Sequence, residues 1–564
     1  MQKFLLFFLA GSLLLIESKA QSVFAPLNAD YNHLVERYEI RYGKFADRIH
    51  THMKPYLRKS IVQLADSVEK KVDDLNERDK FNLDYLRNDS WEWSQSPDKQ
   101  GESDKPLWNT FYKKKSDTYY FRNDDFEIHA SPVLHVGFGK DQDSDKMTFV
   151  NTRGLEIRGM IAKKLGFYTY FADNQGRFAD YVAAWTNRSS AEAFLPGEGL
   201  TKTFKGDNKT YDFLSARGYI SFQAVKFINI QFGHDKNFIG NGLRSMILSD
   251  FSSPYLFLKL TTQIGRFQYM NLFSEIYDRQ QVLPYGQLPP KKFFVFHHLS
   301  LNVTNNLNIG VFETEIFGRA KDQGYFDLSY MNPIIFYRAI EQQKGSPDNA
   351  MVGFDFKANM RKRFSIYGQV LLDEFVLSAL KAGDGSWVNK FGVQLGGKYI
   401  NAFGIDNLDL QGEVNLARPY TYQHLSDQTN YINYNQPLAH PLGANFKEFV
   451  GIARFQPTKR LFLTGTMVLS TYGTDSTPTE NWGGSPLKNY DTRKQDLGNS
   501  IGQGVKNNLT YLDFTASYML KHNFFVDLKA IARKVDSADN TLDRNTVYVS
   551  GALRWNIGQR QFIF

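Results

Sequence analysis

The chain has 564 residues, with 67 Lys+Arg against 59 Asp+Glu, a formal net charge of +8, and no cysteine. The missing cysteine excludes disulfides, thiolate zinc sites, iron–sulfur clusters, cysteine nucleophiles and a lipidated N-terminal cysteine, and so mild a basic excess is not that of a nucleic-acid binder. Aromatic residues reach 15%, with 47 Phe and 31 Tyr, more than a soluble enzyme needs and in keeping with a sheet that faces lipid.

Residues 1–20 have the form of a secretory signal sequence: Lys3 supplies the charge, residues 4–16 the apolar run, and Ser18-Lys19-Ala20 the small-residue cleavage site. No later apolar stretch is long enough for a spanning helix. The expected location is the outer membrane, after export through the Sec pathway and cleavage near Ala20. Residues 21–88 are expected to form a helical periplasmic segment. Leu34, Tyr38, Tyr42, Phe45, Ile49 and Met53 recur at spacings of three and four, Pro55 interrupts, and Leu57, Ile61, Leu64, Val68, Val72 and Leu75 resume. This reads as a helical hairpin whose far side, with Lys59, Glu69, Lys70, Asp73 and Asp74, is solvated. Residues 89–117 read as a polar connector.

From residue 118 to 564 the period is two. Leu155, Ile157 and Ile161 alternate with Glu156 and Arg158; Leu408, Leu410, Val414 and Leu416 alternate with Asp409, Gln411, Glu413 and Asn415; Val547, Val549, Leu553 and Trp555 end the series. The alternation alone also permits a soluble sandwich. The absence of a domain break, and Tyr168, Phe171, Phe293, Phe294, Tyr511, Phe514 and Tyr518 near strand ends, favour a membrane barrel with aromatic girdles. At about 25 residues per strand with its connection, the region holds about 18 strands. A mean hydropathy of −0.42 is compatible, since only alternate residues meet lipid. The expected fold class is therefore all-β: a large antiparallel transmembrane β-barrel with an N-terminal periplasmic helical hairpin.

Motifs for chemistry are weak. Gly240-Asn241-Gly242-Leu243-Arg244-Ser245 lacks the lysine and following helix of a phosphate loop, and reads as a tight turn or a loop folded into the lumen. Gly498-x-Ser500-x-Gly502 matches a nucleophile elbow, with Asp513 and His522 after it, but sits in a Gly/Asn-rich loop rather than at a strand-to-helix turn. Asp141, Asp143 and Asp145 open like a calcium loop, yet Lys146 and Thr152 stand where Gly and Glu are needed. His297 and His298, adjacent on a strand, point to opposite faces and do not readily share a metal. Asp373, Glu374 and Glu413 are expected to pair with Arg338, Arg418 or Lys398 in a polar lumen; Tyr420, Tyr422, Tyr431, Tyr434 and Trp482 fall in long loops, and their ring types are both those that stack on sugars and those of a generic aromatic girdle.

Residues 232–260, FGHDKNFIGNGLRSMILSDFSSPYLFLKL, resemble the signature region of Wzi-type capsule-assembly outer-membrane proteins. So do Met331-Asn332-Pro333 with Arg338, Asp348-Asn349 with Gly353 and Asp355, residues 371–375 (LLDEF) and residues 413–422 (EVNLARPYTY). Leu27-Asn28-x-Asp30-Tyr31 before a helical hairpin is similar to the RemB-type gliding-motility branch, and that hairpin departs from a pure Wzi pattern. The resemblance implies about 18 strands, helical material on the periplasmic side, and a role in surface polysaccharide attachment or motility. The expectation is thus a non-enzymatic barrel with no cofactor, candidate glycan or lumen contacts at Arg244, Asp373, Glu413, Arg418, Tyr420 and Tyr422, and partners among outer-membrane lipid, surface polysaccharide and motility or secretion-apparatus proteins that meet the helices. A porin-like channel for small polar solutes is the alternative.

Overall fold

The computed structural model describes residues 22–564 except 47, 48, 105, 109, 143, 189–191, 205, 281–283, 285, 286, 320–323, 335 and 427. The expected signal sequence and Asp143 lie outside these. Eighteen antiparallel strands, from Phe126–Asp141 to Arg544–Trp555, close into one barrel. The last strand pairs with the first from Trp555↔Leu134 to Tyr548↔Asp141. A short strand, Tyr119–Arg122, takes the rest of that edge, from Tyr119↔Ala130 to Arg122↔Glu127. Closure gives each of the eighteen wall strands a partner on both sides, as lipid demands.

The direction of the alternation separates a barrel from a sandwich. In strand Leu408–Ala417 Asp409, Gln411, Glu413 and Asn415 are buried while Leu408, Leu410, Val414 and Leu416 on the other face are half-buried or exposed: Glu413 is 1% exposed and Val414 48%. Phe138, Phe171, Leu214, Phe232, Val311, Leu395, Phe514 and Leu528 continue the outward apolar surface around the wall. Of the expected girdle residues, Phe171, Phe514 and Tyr518 face outward, whereas Tyr168, Phe294 and Tyr511 are buried in the interior. The strand ends carry both faces, so position near an end did not fix the face.

One end of the barrel has short turns, such as 162–164, 226–227 and 265–266; the other has long loops, including 178–206, 236–254, 318–348, 418–445 and 475–504. Short turns mark the periplasmic side and long loops the outer side. The N-terminal material occupies the periplasmic end, as three helices rather than the expected hairpin: α1 (Ala29–Tyr42), α2 (Arg58–Lys71) and α3 (Glu77–Asp89). Asn28 caps α1, its side chain accepting from the Asp30 and Tyr31 N–H groups. Gly43, at φ 73°, ends the helix, because a left-handed residue satisfies the last carbonyls and glycine adopts it without strain. The apolar rhythm continues past Gly43, but that stretch serves docking: Met53 and Lys54 pair with Ile239 and Phe238 of an inward-folded loop. Val35, Tyr38, Ile61, Leu64, Val68, Leu83 and Leu86 form the core among the helices.

Outside the barrel, part of the long loop 318–348 lies against the wall. Phe326, Tyr330, Tyr337 and Ile340 pack on outward-facing Phe273, Phe293 and Phe317. The Glu313 carboxylate accepts the N–H groups of Tyr337 at 2.7 Å and Arg338 at 2.9 Å, and the Tyr337 hydroxyl meets His297 Nε2. The segment turns Ile334 and Phe336, 84% and 77% exposed, away from the wall.

Candidate functional site

The interior is filled from both ends. From the periplasmic side, α1 presents a row of charges to the wall. Arg37 meets Asp409 and Asp79, Glu36 meets Lys398 and, at 2.7 Å, Lys54, and Glu39 meets Lys357. Burial by itself raises a carboxyl, but Lys398 and Lys54 outweigh it and hold Glu36 well below the usual carboxylate range. The His33 imidazole, 2.9 Å from Asp409, is pushed from 6.5 down to about 4, first by burial and then by Arg454. The solvated face expected from sequence lies elsewhere, on α2 and the turn after it, where Glu69, Lys70, Asp73 and Asp74 are exposed and Lys59 is half-buried.

From the outer side, loop 236–254 folds into the lumen, one of the two readings its Gly-x-Gly segment allowed. Glu413 accepts the N–H groups of Leu243 at 2.9 Å and Arg244 at 3.1 Å, and the Tyr367 hydroxyl at 3.0 Å. A Cβ on Gly242 would collide with that carboxylate. Arg244 forks onto Glu448 at 3.0 and 3.1 Å, and His440 Nε2 reaches the same carboxylate at 2.8 Å; burial keeps the His440 imidazole below its ordinary value. Loop 418–445 packs above, with the Tyr422 and Tyr431 hydroxyls donating to the carbonyls of Met246 at 2.7 Å and Ile247 at 2.8 Å. Residues 557–564 turn back inward past the last strand: Tyr181 donates to the Phe562 carbonyl at 2.8 Å and Arg533 to that of Phe564 at 3.0 Å. Between these pieces remains a cavity of about 440 Å³, lined by Arg37, Arg217, Lys236, Arg560, Glu36 and Glu198 among others.

The sequence-derived candidates fall in two places. Arg244, Glu413 and Tyr422 belong to the loop plug. Asp373 lies beside it, accepting the Tyr422 N–H at 2.7 Å and pairing with Lys390 at 3.1 Å. Tyr420 is buried under loop 475–504, its hydroxyl near the Asn481 carbonyl at 3.4 Å. The expected ion pairs are corrected: Glu413 takes backbone and neutral donors, Asp373 and Glu374 pair with Lys390, Lys398 with Glu36, and Arg338 with Glu341. Arg418 donates to the Ser386 carbonyl at 3.1 Å. The inward loops and helices bring their own partners, and strand alternation contains no record of them. Ser500 lies in an outer loop while His522 sits at a periplasmic turn beside Asp89, at opposite ends of strand Val505–Lys521, so the elbow motif has no triad.

At the outer end, above Asp373 and Arg418, a cluster missed by the sequence reading is half-exposed. The Trp387 and Tyr490 rings are 5.0 Å apart, the Arg493 guanidinium lies 4.1 Å over Trp387, and His424 meets Tyr490 edge-on at 5.5 Å. Burial, with Lys390 nearby, pushes His424 down to about 3, so its ring is neutral. Three separate loops supply these residues, which leaves no spacing to read.

No family model matches the chain, and no curated protein matches it. Among solved structures it is similar to Wzi, an outer-membrane protein involved in group 1 capsule assembly in Escherichia coli and a carbohydrate-binding β-barrel, at 12% identity over 96% of this chain and 100% of that one, with a TM-score of 0.57. OccK8 (OprE) of Pseudomonas aeruginosa, at 8% identity, 76% and 97% coverage and a TM-score of 0.41, and OccAB2 of Acinetobacter baumannii, at 7%, 76%, 97% and 0.42, are more distant. At these identities the likeness is one of fold. The chain is an outer-membrane β-barrel of eighteen strands with N-terminal helices, and its overall architecture is Wzi-like.

Proposed function

We propose that this chain is a non-enzymatic, plugged barrel that associates with extracellular polysaccharide through its outer loops, having reached the outer membrane by way of the signal sequence in residues 1–20. The observation that carries the reading is the half-exposed Trp387–Tyr490–Arg493 cluster. Aromatic faces pack against the apolar faces of sugar rings, and an adjacent guanidinium suits acidic or hydroxyl-rich units. The carbohydrate binding described for Wzi, which shares the fold, supports it. The filled lumen argues against the porin-like alternative, and nothing in these likenesses favours the motility branch. The test is retention of the purified protein on immobilised capsular or exopolysaccharide. Trp387→Ala and Tyr490→Ala should each weaken retention about tenfold, as the loss of roughly 1.4 kcal/mol of contact implies. Retention unchanged by both, or absent in the unaltered protein, overturns the reading; stable porin-sized conductance steps in planar bilayers would favour the channel.

A further inference from the structure

Where the N-terminal segment packs on the inner face of the barrel wall, three buried side chains converge. His52 comes from the stretch between α1 and α2, His298 from strand Lys291–Asn302 and Asp355 from strand Asn349–Met360. One ligand-capable atom from each lies within 4.8 Å of the other two. The His52 and His298 rings are 5.0 Å apart, and His298 Nε2 meets Asp355 Oδ2 at 2.5 Å.

The polar balance of this cluster does not close with protein atoms alone. His52 Nε2, His298 Nδ1 and Asp355 Oδ1 are all buried and have no hydrogen-bond partner. An imidazolium–carboxylate pair between His298 and Asp355 would still leave one orphan on each of the three residues, a costly arrangement in a dry interior. The nearest cation on the same strand face, Lys357, is engaged by Glu39 and by Thr51 at 2.5 Å, so it does not neutralise Asp355. Gly310 on the intervening strand keeps the space open: a Cβ there would stand 2.6 Å from both Asp355 Oδ2 and His298 Cε1.

We propose that His52, His298 and Asp355 bind a divalent transition-metal ion of the zinc class, which ties the N-terminal segment to the barrel wall. Two imidazoles and a carboxylate suit a borderline ion such as Zn²⁺ or Co²⁺, and lack the oxygen-rich set that Ca²⁺ or Mg²⁺ demands. The ion would supply the missing partners and balance the carboxylate. The sequence hid this site, because His298 and Asp355 are brought to His52 only when the helical segment docks.

The experiment uses untagged full-length protein purified from outer membranes, stripped with chelator, reloaded with Zn²⁺ or Co²⁺ and dialysed. About one equivalent of metal should remain, with Co²⁺ giving the visible absorption of a four- or five-coordinate site. His52→Ala lies outside the barrel strands; it should lose the metal while keeping the heat-shifted gel band of a closed barrel. Asp355→Asn should lose the cobalt spectrum. Stripping should speed proteolysis between α1 and α2 in the unaltered protein and leave the His52→Ala rate unchanged. The proposal is overturned if the unaltered protein retains neither ion, or if His52→Ala retains as much as the unaltered protein.

Discussion

Glu413 shows how one carboxylate organises the outer plug. It sits on the lumen face of a strand and accepts two backbone N–H groups from the turn after Gly242, together with the Tyr367 hydroxyl. Glu413→Ala would leave these donors buried and unpaired, at a cost of about 3 kcal/mol; Glu413→Gln keeps one acceptor and should lose less. Denaturant unfolding and trypsin cleavage within residues 236–254 check the order: unaltered protein most resistant, Gln intermediate, Ala least. His33 makes the inner plug sensitive to pH. Its folded pKa, near 4, lies below the ordinary 6.5, so the docked helix binds fewer protons than the free one. Docking stability is complete above about pH 6.5 and falls as the pH drops towards 4, by about 3 kcal/mol in all. Amide exchange of α1, corrected for intrinsic rates, should show that loss of protection, and His33→Gln should flatten it. The residue types at these sites were visible in the sequence, and Glu413 and Arg244 were singled out there. Their partners were not, since Arg244 finds Glu448, Arg37 finds Asp409, and Glu36 finds Lys398 only after the barrel has closed around them.

Elements were legible where the local pattern was also the packing pattern. The strands follow from alternation, and α2 from Ile61, Leu64 and Val68 on one face. Reading failed where a segment served two surfaces. The stretch after Gly43 keeps a helical spacing yet is drawn out to pair with Phe238 and Ile239. The segment on the outer wall is the other case: its Ile334 and Phe336 are exposed on its outer side while its backbone N–H groups satisfy Glu313. Deleting residues 324–346 should expose Glu313, Glu315 and His297 on the lipid face. A charged group there costs about 2–4 kcal/mol near the bilayer midplane, so the fraction of heat-shifted, membrane-inserted barrel should drop sharply. An unchanged fraction would mean that these polar groups lie clear of the hydrocarbon.

For the whole molecule, barrel and plug are separable. Strands Arg544–Trp555 and Phe126–Asp141 close the wall without the helices, whereas the helices hold the periplasmic mouth through ion pairs with that wall. Removing residues 22–89 should leave a heat-shifting barrel and raise bilayer conductance well above that of the unaltered protein; equal conductance would mean that the outer loops alone seal the lumen. The sequence by itself determined the strands, their approximate number, the helical start and the membrane setting, because lipid forces a period of two on every strand that crosses it. Only the tertiary structure decided which face of each strand turned inward, that the interior is filled, and which residues meet there. A two-residue period is the same whether its apolar face points in or out, and contacts between residues hundreds of positions apart exist only once the sheet has closed on itself.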